Sequence, residues 1–199
     1  MKGPMVHGCY DADTLRNLKE IGIRQFGFDL RGRSPNLIPY HQLKEFLKDM
    51  TGEKIHLIFG NDKPSTVLSF LNLLSDFKSQ ISLEFRDVQL SSSYESLNVP
   101  YYWYFNPQGN WKEIFQGPNL KGVILPLEHQ DIYQSDKYFW ETIERRNLDV
   151  YIHAVNFKEA LKLQKDPNLQ VSLDLNREIE IGFRRVDQNR LRREILEIF

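Results

Sequence analysis

Arg31, Arg33 and Ser34 stand in one short stretch, FGFDLRGRSPNLIP (26–39), where an apolar run gives way to glycine and proline. The pattern predicts a strand over Arg24 to Leu30, then a loop, then a helix beginning near Pro39. Guanidinium, hydroxyl and backbone N–H groups would then gather at a strand's carboxyl end, where parallel α/β sheets and barrels bind ligands. The same residues also read as a plain turn with two solvated arginines. Glu84 and Arg86 alternate along a later strand and so share one of its faces. Turned inward they can pair with Asp29 or His7; turned outward they make a surface ion pair. Buried charges of this kind are tolerated only when paired. His7 and His153 have ligand chemistry, but no His-x-His or Cys-x-x-Cys spacing supports them, so structural histidines and no metal are expected. His41, His56 and His129 offer nothing specific. Tyr101 to Phe105 (YYWYF) would stack a planar ligand or fill a buried strand, and the core reading is favoured. Arg184, Arg185, Arg190, Arg192 and Arg193 interleave with Glu194 and Glu197, which favours a solvated face over a phosphate or nucleic-acid site.

The elements that must position these groups alternate between the two kinds. Strands are predicted over Met5 to Gly8, Arg24 to Leu30, Lys54 to Gly60, Ile81 to Val88, Val99 to Phe105, Lys121 to Leu125, Leu148 to Ala154 and Leu169 to Leu175. A helix capped by Asp11 or Asp13 carries Leu15, Leu18 and Ile21 and ends at Gly22. Others follow over His41 to Met50, after Asn61 to Ser65 (with Val67, Leu68, Leu71 and Leu74 as its stripe), and over Ser135 to Arg146, Asn156 to Lys165 and Asp187 to Ile198. The segment after strand four is Ser-rich and poorly patterned, and Asn110 to Gln116 holds one or two turns. Eroded helices are therefore expected after strands four and five. Eight units in 199 residues suit a single (βα)8 TIM barrel spanning 1–199, near the lower size limit of that fold. A doubly wound open sheet has the same alternation.

Composition narrows the partners. A net charge of -1 gives no global field toward nucleic acid or an anionic membrane. One cysteine, Cys9, excludes an internal disulfide and fits a reducing compartment. No signal-peptide core and no run of about 18 apolar residues is present, so a cytoplasmic protein with no membrane partner is expected.

HGCYDADTL, FGFDLRGRSPNLIP and IFGNDKPSTV together resemble the first three units of phosphoribosylanthranilate isomerase, the tryptophan-biosynthesis barrel. Gly8, Gly27-Phe28, Arg33-Ser34-Pro35, Phe59, Asn61 and Pro64 fall on that family's marks, with no gap between Gly8 and Pro35. Looser echoes run over Leu83 to Asp87, Leu148 to Ala160 and Val171 to Asp187. The resemblance implies a barrel with its site at the mouth, no cofactor, and an Amadori rearrangement run by a general base ending strand one and a general acid ending strand six.

The departures bear on every working part. The base position holds His7, an imidazole competent near neutrality. The acid position falls on Pro126, which has no ionisable group; Glu128, His129 and Asp131 follow it in a loop. The arginine that would hold the anthranilate carboxylate is Asn36. The Gly-Gly phosphate cradle after strand seven is His153-Ala154, and the phosphate-loop glycine of strand eight is Asp174, which adds a further inward partner for Glu84 and Arg86. Glycine lets backbone N–H groups approach phosphate, whereas a carboxylate about 4 Å from a phosphate repels it by roughly 1–4 kcal/mol per charge pair. The expectation is a barrel that has lost the isomerase reaction, a pseudoenzyme or a module binding a small molecule or protein at a mouth lined by His7, Arg33, Ser34, Asn36, Glu84, Arg86, His153 and Asp174. The alternative is an active, divergent intramolecular aldose–ketose isomerase with His7 as base. A third reading is a different enzyme acting on an uncharged substrate.

Overall fold

A computed structural model describes residues 3–86, 92–163, 170–175, 179–182 and 184–198. Eight strands close into one barrel: β1 Met5–His7, β2 Gln25–Asp29, β3 Lys54–Phe59, β4 Ile81–Phe85, β5 Tyr101–Tyr104, β6 Leu120–Pro126, β7 Asp149–Ala154 and β8 Gln170–Asp174. All neighbours are parallel, and β1 seals the ring against β8 with His7 opposite Asp174. The (βα)8 barrel is therefore the fold, and the open-sheet alternative falls away.

Helices follow the strands as α1 Ala12–Glu20, α2 Tyr40–Lys48, α3 Pro64–Leu73, α4 Ser92–Glu95, α5 Trp111–Ile114, α6 Gln130–Gln134, α7 Lys137–Arg146, α8 Phe157–Leu163 and α9 Gln188–Ile198. Asp11 caps α1 by accepting from the Thr14 N–H at 2.8 Å, and Gly22 turns the chain away at φ +98°. The helices after β4 and β5 hold four residues each, the erosion expected from their weak periodicity. The Val88 and Leu169 ends of two predicted strands, and Lys165, lie outside the described residues. Leu68 departs from its expected stripe: Val67, Leu71 and Leu74 are buried while Leu68 is exposed. Its position leaves it off the face that packs on the sheet. The short α6 and a hairpin, β9 Glu180–Gly182 with β10 Arg185–Val186, carry too few residues to leave a periodic signal.

Strand alternation divides the buried side chains in two. Val6, Phe26, Phe28, Leu57, Val123, Leu125 and Leu173 point outward into the layer under the helices, whereas Met5, Tyr102, Ile124 and Tyr151 fill the barrel itself. The tyrosines satisfy their hydroxyls in place: Tyr102 donates to Asp149 Oδ2 at 2.9 Å and Tyr151 to Gln25 Oε1 at 3.1 Å. An aromatic floor thus occupies the amino-terminal half of the barrel, and polar side chains are left for the other end. Among the described residues no helix is long and apolar enough to cross a membrane.

Candidate functional site

The same alternation aims the last inward residue of each strand at the mouth. His7 closes β1, Asp174 closes β8, Glu84 and His153 stand one residue from the ends of β4 and β7, and Arg86 follows β4. Arg86 keeps strand register without strand pairing beyond it, its N–H donating to the Phe59 carbonyl at 3.0 Å. Five of the residues singled out in the sequence therefore meet in one buried cluster.

His7 is its centre. Nδ1 lies 3.1 Å from Asp174 Oδ1, and Nε2 lies at ion-pair distance, 3.1 Å, from Glu84 Oε2. Arg86 Nε donates to Glu84 Oε1 at 2.6 Å, and its two Nη groups reach the Asp174 oxygens at 3.3 Å. Arg86 Nη2 is also 2.9 Å from His7 Nδ1. His153 approaches Asp174 Oδ2 through Nε2 at 3.5 Å and meets Ser172 Oγ through Nδ1 at 3.2 Å. The Tyr104 ring lies under the Arg86 guanidinium, 4.6 Å from its centroid. Backbone space makes this arrangement possible. A Cβ on Gly27 would fall 2.0 Å from His7 Cδ2, so the imidazole occupies the room that glycine vacates.

Glu84 and Arg86 point inward, and of the partners open to them they take His7 and Asp174. Asp29 is engaged elsewhere. It accepts from the Arg31 N–H (3.0 Å), from Arg31 Nε and Nη2 (2.9 and 2.6 Å) and from Ser34 Oγ (2.6 Å). The loop after β2 is thus clasped by its own aspartate, with Arg31 as the engaged arginine and Arg33 exposed to solvent. Asn36 sits between Gly8 and the Leu175 carbonyl, to which its amide donates at 3.2 Å. Neither Arg33 nor Asn36 reaches the His7 cluster, because the clasp turns the loop over Asp29. Pro126 ends β6 as the register required, its carbonyl accepting from the Tyr133 hydroxyl. Arg184 departs from the solvated reading of the basic stretch. It adopts φ +54°, lies over the Tyr10 ring and donates to the Leu37 carbonyl at 2.8 Å. Ser172 was not singled out in the sequence, His56 was set aside, and Tyr104 stood only within an aromatic run; inward parity on their strands is the signal that finds them.

Charge and burial set the protonation states. Burial pushes His7 down, but Glu84 and the Asp174 hydrogen bond outweigh it and raise it to about 9. Burial alone would raise Glu84; His7 and Arg86 hold it well below the carboxylate range. Arg86 and His153 do the same for Asp174 against its burial. His56 lies deeper, its ring edge-on to Tyr102 and its nitrogens without hydrogen-bond partners among the described residues, and burial drives it down to about 3. The two histidines act on stability in opposite directions. His7 binds its proton more tightly in the fold, so its contribution is complete below about 6.5 and is lost as pH rises through about 9. His56 resists protonation in the fold, so stability falls as pH drops from 6.5 toward 3. Urea unfolding should give greatest stability near pH 6.5, with a loss of a few kcal/mol above pH 9, since each tenfold change in proton affinity is worth about 1.4 kcal/mol. A flat profile between those limits, or the same alkaline loss in His7→Phe, would contradict the assignment.

Two cavities open beside the cluster. One, about 430 Å³, is lined by Arg31, Arg86, Tyr104, Phe105, Glu128 and His129 among others; the second, about 280 Å³, by Pro126, Glu128, His153 and Glu159 among others.

No family model matches the chain, and no curated protein does. Solved structures do. A monomeric form of phosphoribosylanthranilate isomerase from Thermotoga maritima matches with TM-score 0.70 at 10% identity, covering 100% of this chain and 98% of the other. The Thermus thermophilus isomerase gives 0.69 at 14%, covering 98% and 97%. An HpcH/HpaI aldolase from Desulfitobacterium hafniense gives 0.61 at 10%, covering 87% and 86%, which illustrates how one barrel hosts different chemistries. At these identities the likeness concerns the backbone: along its whole length this chain folds as the phosphoribosylanthranilate isomerases do.

Proposed function

We propose that this chain is a barrel of phosphoribosylanthranilate isomerase lineage that no longer carries out the isomerase reaction and takes a small molecule or a protein partner at its mouth. The observation that carries this reading is Asp174. Its carboxylate turns into the mouth at the end of β8, held by Arg86 at 3.3 Å and His7 at 3.1 Å. A phosphate arriving there would meet a fixed negative charge, and the guanidinium nearest to it is already shared between Glu84 and Asp174. The end of β6 offers Pro126 where an acid would be needed, and the end of β7 offers His153-Ala154 in place of a glycine cradle.

A second reading, an active divergent isomerase, draws on the full-length likeness to isomerase structures and on His7 at the inward end of β1. It requires His7 to work as a base while both its nitrogens face carboxylates, and a loop group such as Glu128 to work as the acid. Positioned strand-end groups do such work better than loop groups. The purified chain should show no turnover of phosphoribosylanthranilate and should fail to rescue a strain lacking the isomerase. Turnover comparable to an authentic enzyme, abolished by His7→Ala, would establish the second reading instead.

A further inference from the structure

The groups around Asp174 have a second chemical identity. His7, His153 and Asp174 each present one donor atom, and the three lie within 4.8 Å of one another. Two ligands about 2.1 Å from a common ion stand roughly 3.0–3.4 Å apart at tetrahedral or octahedral angles. The separations here are 3.1 Å for His7 Nδ1 to Asp174 Oδ1 and 3.5 Å for His153 Nε2 to Asp174 Oδ2, one histidine on each carboxylate oxygen. The outer ring nitrogens have polar neighbours as well. His7 Nε2 faces the Glu84 carboxylate at 3.1 Å and His153 Nδ1 meets Ser172 Oγ at 3.2 Å. Metal-binding histidines are commonly oriented in this way by a carboxylate or another polar group on the far nitrogen.

We propose that the mouth binds a first-row divalent metal ion through His7 Nδ1, His153 Nε2 and the Asp174 carboxylate, with Glu84 and Ser172 orienting the two imidazoles. Two imidazoles and one carboxylate suit Zn2+, Co2+ or Fe2+ and leave positions open for water or substrate. They do not suit Mg2+, which prefers oxygen ligands alone. Glu84 and Asp174 are balanced by the Arg86 guanidinium and the His7 imidazolium, and a dication taking the place of the guanidinium and the His7 proton would keep that balance. Arg86 Nη2 stands 2.9 Å from His7 Nδ1 and must withdraw for the ion to enter. It lines the 430 Å³ cavity, as does the exposed carboxylate of Glu128, so the guanidinium has both room and a partner there. The inference goes beyond the reading above and does not depend on whether the isomerase reaction is retained.

The test is titration of the chelator-treated full chain with Co2+, followed by visible absorption, and with Zn2+, followed by calorimetry. One equivalent of each should bind and Mg2+ should not. Ser172→Ala should weaken binding on the order of 10–100-fold. His153→Ala and Asp174→Asn should weaken it further, with the fold of each checked by circular dichroism. In the unmodified chain, Co2+ should broaden the imidazole resonances of His7 and His153 before those of His41 and His129, a readout that needs no variant. Absence of saturable uptake, uptake that His153→Ala leaves intact, or broadening confined to His41 and His129 would overturn the site.

Discussion

Arg86→Met should lower the stability of this barrel by roughly 3–5 kcal/mol, measured by urea unfolding at pH 7, the range seen when one partner of a buried charge pair is removed. Glu84 is fully buried, and Arg86 supplies its 2.6 Å hydrogen bond. Without the guanidinium, Glu84 would be left with the His7 imidazole, which it must share with Asp174. Two carboxylates would then compete for one proton inside the barrel. The double variant Glu84→Gln with Arg86→Met tests the cause. It removes a negative charge together with the positive one and should be more stable than Arg86→Met alone, since a neutral amide costs far less to bury than an uncompensated carboxylate. A loss under about 1 kcal/mol for the single variant, or a double variant weaker than the single, would show that this pairing does not hold the mouth together.

Gly27→Ala should be nearly as damaging although it adds a single methyl group. That methyl would sit 2.0 Å from His7 Cδ2 and within 3 Å of two further imidazole atoms. The ring has little freedom to slide, because Glu84 and Asp174 stand 3.1 Å from its two nitrogens on opposite edges. Overpacking of this kind costs about 1–3 kcal/mol, and here the displaced ring also disturbs both ion pairs, so the upper end or beyond is expected. His7→Ala in the Gly27→Ala background should restore part of the loss, since the vacated ring leaves space for the methyl. An unaltered stability for Gly27→Ala would mean that the imidazole does not lie where it is described.

Much of the candidate site follows from strand parity, and strand parity is readable in a linear chain. Once Ile81 to Val88 is read as a strand, Glu84 and Arg86 share a face; once β1 and β8 are strands, His7 and Asp174 each take a definite side. The inward direction of Glu84 and Arg86 was open in the sequence because a charged pair fits a solvated face as readily as a barrel lined with opposite charge. Closure of the ring settled it. With β1 paired to β8, His7 and Asp174 stand side by side, and Glu84 and Arg86 face them across the axis. The loop after β2 was harder to read, since Arg31 and Arg33 are equivalent in type and two positions apart. Asp29 distinguishes them by geometry, binding the arginine whose own N–H it already accepts.

Periodicity, turn residues and caps determined the eight strand–helix units and which residues stand near strand ends, because these depend on neighbours in the chain. Partners across 79 to 167 residues of sequence, such as His7 with Arg86 and with Asp174, depend on how a curved sheet brings distant strands to one axis. Only the tertiary structure decided those. Charge compensation is a property of distances in space, and a 3 Å separation between the first strand and the last leaves no trace in the spacing of either.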